Sequence, residues 1–214
     1  MLRAVLAFAG VALVLAMVPG PATAVMVRQG LRGGPRAALA TTAGAQVALA
    51  FWSVAAAFGL SALVAASQAA YDALRITGAA VLVVLGASSL LRSRGPGPVR
   101  EDGRGQEAGP GSERVPGWRA FRVGVATDLA NPKAAVFALS FLPQFVPAGA
   151  PVLATTLLLG LVWVAVDAAW YAVLTLLLAR SRAVFARARV RRRLERVSGA
   201  VLIGLGVRVA LQRR

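Results

Sequence analysis

The chain alternates between long uncharged stretches and short segments rich in arginine. Residues 4–27 and 37–71 contain no charged side chain. Each stretch exceeds the roughly 20 apolar residues that cross a bilayer as a helix, and the second leaves room for a turn around Gly59–Ser67. The pattern therefore predicts an all-α integral membrane protein. Its six transmembrane helices are expected at residues 4–27, 37–71, 76–91, 119–145, 152–179 and 194–212.

A short repeat relates the third and sixth predicted helices. "RITGAAVLVVLG" at 75–86 and "RVSGAVLIGLG" at 196–206 share an R-x-[ST]-G-A start and an L-G end, with one residue dropped. Because each copy holds an odd number of helices, the second copy must be inverted in the membrane, a plan known from many secondary transporters. We therefore expect two inverted three-helix repeats, at residues 1–92 and 118–214.

The distribution of arginine predicts the orientation of these helices. Seventeen of the 24 basic residues lie in three connecting segments, at residues 28–36, 92–119 and 180–196, whereas the loops around 59–70 and 144–152 have none. Basic loops face the cytoplasm in membrane proteins. We therefore expect both termini to lie outside, in a multi-pass protein of the bacterial inner membrane.

Composition narrows the function. The chain is 58% hydrophobic and only 15% charged, and the basic loops account for its net charge of +16 without nucleic acid. Cysteine and histidine are absent, which excludes disulfides, Cys/His metal sites and histidine catalysis. H-E-x-x-H and G-x-S-x-G motifs are also absent. We expect neither an enzyme nor a cofactor.

Two further features concern processing and domain organisation. Residues 93–117, of which eleven are Gly or Pro, are expected to form a disordered cytoplasmic linker between the repeats. Ala22-Thr23-Ala24 fits a signal-peptide cleavage site as well as an uncleaved helix. The uncleaved interpretation is favoured, because cleavage would remove a helix from the first repeat and place the following arginines outside.

Prolines interrupt two of the predicted helices, the first at Pro19, Gly20 and Pro21 and the fourth at Asn131 and Pro132. The repeat makes these two helices equivalent. Interruptions at matching positions are a pointer to the binding site in transporters of this plan.

A proline within a helix leaves the carbonyl four residues earlier without its N–H partner. We expect Pro19 to free the carbonyl of Leu15, Pro21 to free that of Met17, and Pro132 to free that of Asp128. Unpaired backbone at membrane depth is tolerated only inside protein or at a wet cavity.

Few polar side chains lie deep in the predicted helices. At about 1.5 Å per residue, Gly20, Lys133 and Asp167 fall in the middle third of a core about 30 Å thick. Lys133 is the only lysine among the basic residues, and Asp128 precedes it by five positions. Buried ionisable groups usually face a pathway, although a structural ion pair between Lys133 and either aspartate is the alternative. Gln46 is expected to form a hydrogen bond between helices, and a place among the substrate-binding residues is the alternative.

Two motifs, "VPGPATAVMVRQGLRGGPRAAL" and "DLANPKAAVFALSFLPQFV", resemble the lysine exporter family of bacterial amino-acid exporters, including its homoserine/threonine branch. The likeness covers nearly the whole chain, with the helices and the central loop in the same order. The motif residues that carry over are Pro19, Gly20, Pro21, Asn131, Pro132 and Lys133.

The resemblance implies export of an amino acid or similar small zwitterion, driven by the proton gradient. Lys133 and the new helix starts then provide a positive pole for the substrate carboxylate. Asp128, Asp167 and the freed carbonyls provide a negative pole for its ammonium, and a carboxylate carries the proton. Asp128 departs from the family, which often has an uncharged polar residue there. Alternatives are a channel-like pore and a structural membrane subunit; a homo-oligomer is a further expectation.

Overall fold

The computed structural model describes residues 1–66, 68–94, 115–147 and 149–180, together with parts of 196–207. This part of the chain is helical and contains no strand, as expected of an all-α protein. The α-helices are α1 (Leu2–Met17), α2 (Pro21–Ala66), α3 (Gln68–Arg94), α4 (Gly117–Leu129), α5 (Pro132–Val136) and α6 (Val152–Arg180). A π-helix (Phe137–Phe141) and a 3-10 helix (Leu142–Phe145) follow α5.

Both predicted helix interruptions are present. Helix α1 ends at Met17, and α2 begins at Pro21 after a non-helical step. Helix α4 ends at Leu129, and α5 begins at Pro132. Proline is well suited to these starts, because the first N–H groups of a helix have no acceptor within it.

The segment expected as a loop after the first helix is itself helical. Arg28 and Arg32 lie within α2, and the chain reverses at Gly34, whose φ of 75° is in the left-handed region that favours glycine. Pro35 then begins the second segment of α2. A long arginine side chain can reach water from the last turns of a helix. The positions of Arg28 and Arg32 therefore did not show where the helix ends.

The second predicted turn is also displaced. Helix α2 continues through Gly59 to Ala66, where the sequence predicted a turn around Gly59–Ser67. An uncharged run of small and apolar residues contains no signal that would separate helix from turn. Residues 95–114 and 181–195 lie outside the described residues. The first range holds most of the predicted linker, and most of the predicted sixth helix is likewise not described.

Contacts with α6 establish how the two segments of α2 run. Along the first segment, Thr23 contacts Tyr171 and Met26 contacts Thr175, so residue numbers rise together and the segments are parallel. Along the second segment, Gln46 contacts Asp167 and Ser53 contacts Gly160, so numbers rise on one helix as they fall on the other. The second segment therefore runs antiparallel to α6.

Glycines allow two pairs of helices to touch backbone to backbone. A Cβ at Gly124 of α4 would collide with the Thr41 carbonyl of α2, and one at Gly44 would collide with the Phe121 carbonyl. Farther along the chain, a Cβ at Gly86 of α3 would lie 2.7 Å from the carbonyl oxygen of Gly199. Small residues at helix crossings are typical of membrane proteins.

Polar and apolar side chains are distributed as a membrane requires. Leu2, Phe58 and Leu161 are more than half exposed, whereas Asp128 and Asp167 are buried. Within the described residues, Pro21–Gly59 and Val152–Arg180 are long and apolar enough to cross a bilayer, and Leu2–Met17 and Ile76–Ser88 are shorter apolar helices. The outward faces thus suit lipid, and the carboxylates of Asp128 and Asp167 face the interior.

Candidate functional site

The second helix break is held together by the side chain of Asn131. Its Oδ1 accepts the backbone N–H of Lys133 at 3.1 Å, which caps the start of α5. Its Nδ2 donates to Oδ1 of Asp128 at 2.8 Å. The carbonyl of Asp128, which the sequence predicted to be free, accepts the N–H of Asn131 at 3.2 Å. One side chain therefore fixes both sides of the break.

Lys133 reaches from the second break to the first. Its Nζ donates to the carbonyl oxygens of Val18 at 3.1 Å and Leu15 at 3.3 Å. A Cβ at Gly20 would lie 3.6 Å from the same nitrogen. The ammonium therefore lies at the junction of two interrupted helices that are more than 100 residues apart in sequence.

The carbonyls at the first break already have a donor. The carbonyl of Leu15, which the missing N–H of Pro19 was expected to free, accepts from Lys133 and from the backbone N–H of Val18. The sequence did not predict the role of Val18, although the last four carbonyls of any helix lack N–H donors within it. The carbonyls of Leu15 and Val18 therefore bind the lysine of the protein itself.

Asp167 and Gln46 meet between α6 and the second segment of α2. Nε2 of Gln46 donates to Oδ2 of Asp167 at 2.7 Å, which is the interhelical hydrogen bond that the sequence predicted. Asp167 is 8% exposed. Lys133 interacts electrostatically with both Asp167 and Asp128, yet among the described residues its hydrogen bonds go to carbonyls and no direct ion pair joins it to either carboxylate.

Two residues of this region were missed by the sequence reasoning. The hydroxyl of Tyr171 lies 2.8 Å from the hydroxyl of Thr23, in the first turn of α2 after the break. Tyr171 is buried and follows Asp167 by four residues, so both side chains lie on one face of α6. That spacing was the available signal. Its partner across 148 residues could not be read from the chain.

An aromatic cluster lies beyond Lys133, toward the start of α1. Phe8 comes from α1 and Trp163 from α6. The other three members, Phe137, Phe141 and Phe145, follow the second break in sequence. Neighbouring ring centroids are 4.9–5.8 Å apart. Phe8, Phe137 and Trp163 are almost completely buried, so these rings have little contact with solvent.

A cavity of about 300 Å³ adjoins this cluster on the side of the α1 N-terminus. Ala4, Ala7 and Gln144 line it together with Phe141 and Phe145. Lys133 is not among its lining residues. The aromatic cluster therefore lies between the cavity and the junction of the two breaks.

Comparison with known proteins agrees with this architecture. The family model described as LysE type translocator matches residues 13–213. The chain is 30% identical to an uncharacterized membrane protein of Vibrio cholerae serotype O1, over 96% of this chain and 95% of that protein. It is 23% identical to the uncharacterized membrane protein YrhP of Bacillus subtilis (strain 168), over 98% of this chain and 100% of that protein.

A third relative has a name that describes its activity. It is the homoserine/homoserine lactone efflux protein of Salmonella typhimurium, which is 31% identical over 72% of this chain and 69% of that protein. No solved structure matches the chain. The family match confirms the resemblance that the two motifs indicated. The chain belongs to the LysE type translocator family, and it is a membrane transporter, not an enzyme.

Proposed function

We propose that this protein exports a small amino acid from the cytoplasm in exchange for protons, by alternating access between two three-helix repeats. The observation that carries the proposal is the position of Lys133, whose ammonium lies at the meeting point of both helix breaks. The Salmonella relative, named for homoserine and homoserine lactone efflux, supports a small polar amino acid as the cargo.

Lys133 is suited to bind the substrate carboxylate. An ammonium has three N–H donors, and the carbonyls of Leu15 and Val18 use two of them. The third donor is available to a carboxylate. Helix α2 begins at Pro21, beside this ammonium, and the N-terminal end of a helix adds positive potential.

Asp167 is suited to bind the substrate ammonium or the coupling proton. Its Oδ2 accepts a hydrogen bond from Gln46, an uncharged group that does not neutralise it. Asp128 also accepts from an amide, but that amide belongs to Asn131, whose oxygen caps α5 at the second break. We therefore assign the exchangeable role to Asp167 and a positioning role to Asp128, which holds Asn131 in place.

The helix directions support the inverted repeat. In such a repeat, the first transmembrane helix is equivalent to the fourth and the second to the fifth. A contact between the first and fifth helices is therefore matched by one between the fourth and second. Here α1 and the first segment of α2 pack on α6, while α4 packs on the second segment of α2. The aromatic cluster closes the route from Lys133 toward the start of α1, the end that the arginine distribution predicts to be outside. The structure thus fits a state closed to the exterior.

Export by purified Lys133 variants in loaded proteoliposomes tests this proposal. We expect Lys133→Ala to reduce efflux to the level of empty vesicles, and Lys133→Arg to do the same because a planar guanidinium does not fit a site built for a compact ammonium. The control is Arg119→Ala, which removes one positive charge at an exposed position and should export normally.

Two double variants separate binding from charge balance. If Lys133 served only to neutralise an aspartate, removing Asp128 or Asp167 together with it would restore export, because no lone buried charge would remain. We expect no restoration in Lys133→Ala with Asp128→Ala or with Asp167→Ala. Efflux near wild type in either double variant would show that Lys133 belongs to the scaffold.

A further inference from the structure

Two buried polar atoms on one face of α2 have no hydrogen-bond partner among the described residues. They are Oγ1 of Thr42 and Oε1 of Gln46. The two residues are four positions apart, so their side chains lie next to each other on the helix surface. A buried polar atom without a partner costs free energy, so a pair of them on one face calls for a functional explanation.

The hydroxyl of Thr42 differs from the neighbouring hydroxyls on its own helix. Thr41 donates to the carbonyl of Ala37 at 2.9 Å, and Ser53 donates to that of Leu49 at 2.8 Å, as buried helical hydroxyls commonly do. Thr42, which is 7% exposed, makes no such bond. Its O–H donor is therefore available to a ligand.

The orientation of the Gln46 amide follows from its partner. The amide nitrogen of Gln46 faces Oδ2 of Asp167, which is the orientation that an ionised carboxylate requires because it only accepts hydrogen bonds. The amide oxygen, Oε1, is consequently turned away from Asp167 and remains an unused acceptor. Thr42 thus offers a donor and Gln46 an acceptor, one turn apart.

A single hydroxyl group satisfies both atoms. It accepts from the O–H of Thr42 and donates to Oε1 of Gln46. A hydroxyl oxygen can accept and donate at once, and the two unpartnered atoms belong to neighbouring side chains on one helix face.

This pair also lies next to the proposed substrate groups. Helices α2 and α6 are antiparallel here, with Gln46 at the level of Asp167, so Thr42 lies one turn farther along, at the level of Tyr171. We propose that Thr42 and Gln46 form a subsite for the side-chain hydroxyl of the substrate, which makes the cargo a hydroxylated amino acid. This inference rests on the proposed function, in which Asp167 binds the amino group of the same molecule.

Pairs of amino acids that differ only by hydroxyl and methyl test the subsite. Homoserine and norvaline are one such pair, and threonine and valine are another. In proteoliposomes we expect the wild-type protein to export the hydroxylated member at least about tenfold faster. Thr42→Val, which replaces the hydroxyl by a methyl group, should reduce this ratio about tenfold, while Thr42→Ser should preserve it.

Thr156→Val is the matched control. The hydroxyl of Thr156 is fully buried and also lacks a partner, but it lies eleven residues from Asp167 along α6, which is about 16 Å. We expect this variant to keep the wild-type ratio. If Thr156→Val lowered the export ratio as much as Thr42→Val, the effect would reflect the packing of any buried hydroxyl, and the subsite would be overturned.

Other outcomes also decide the matter. Equal export of homoserine and norvaline by the wild-type protein, or an unchanged ratio in a well-folded Thr42→Val, would overturn the subsite while amino-acid export itself stood. Failure of the proposed function has a different result, since no member of either pair would then leave the vesicles.

Discussion

Replacement of Gly124 by alanine tests one of the closest helix contacts among the described residues. A Cβ at this position would lie 2.9 Å from the carbonyl carbon of Thr41 and 3.1 Å from its Cα, whereas ordinary contacts begin at 3.4 Å. The carbonyl oxygen of Thr41 would be closer still. Helices α2 and α4 must therefore separate by at least about half an ångström to accept a single methyl group.

The expected cost follows from measurements on overpacked interiors. Inserting one carbon into a well-packed contact typically costs about 1–3 kcal/mol. For a chain of about 200 residues, each kcal/mol lowers the Tm by about 2–4 °C. Because alanine itself is favoured over glycine inside a helix, we expect Gly124→Ala to unfold about 2–12 °C below a Gly→Ala variant whose Cβ meets no neighbour. Thermal unfolding of the purified protein in detergent, followed by tryptophan fluorescence, measures this difference.

Gly10→Ala provides the matched control, with the opposite sign. Gly10 lies within α1, and a Cβ there would meet no heavy atom within 4 Å. Alanine is favoured over glycine inside a helix by about 1 kcal/mol. The Tm of Gly10→Ala should therefore equal or exceed that of the wild-type protein. The reasoning would be refuted if Gly124→Ala were as stable as Gly10→Ala.

Two further predictions concern the second break and the topology. Asn131→Ala removes the cap of α5 and leaves the Asp128 carboxylate without its donor, so we expect the free energy of unfolding to fall by about 1–3 kcal/mol. Asp128→Asn removes the buried charge and should lower the free energy of unfolding by less. An unchanged Tm in Asn131→Ala would contradict this role of Asn131. Single cysteines are easily placed in this cysteine-free chain. Labels at residues 93–117 should react only from the cytoplasm and labels at Ala65 or Gly149 only from outside, whereas exterior reaction of the 93–117 segment would reverse the orientation.

The sequence predicted the helix interruptions because their cause is local. A proline lacks the N–H that a helix interior needs, so Pro19 and Pro132 mark breaks whatever surrounds them. The uncharged runs predicted the helical membrane fold because their length and apolar composition are also local properties of the chain. Helix ends were less well predicted: Arg28 and Arg32 were read as loop residues, yet they lie in the last turns before Gly34.

The parts of the site that join distant segments were only partly predictable. Lys133 stood out because it is the single lysine, but its hydrogen bonds to the carbonyls of Leu15 and Val18 depend on how two helices pack. The bond between Thr23 and Tyr171 had no sequence signal that named both partners. Gln46 was assigned correctly to an interhelical bond, since a lone amide in an apolar helix has few other partners.

Flux under an imposed pH gradient tests the central claim most directly. Proteoliposomes that contain the purified protein are loaded with labelled homoserine and diluted into acidic medium, with empty vesicles and a protonophore as controls. The account predicts saturable efflux that accelerates with the inward proton gradient, continues against a homoserine gradient and stops when the protonophore collapses the pH difference. Efflux that never saturates and ignores the pH gradient would indicate a pore, and an absence of efflux would contradict amino-acid export.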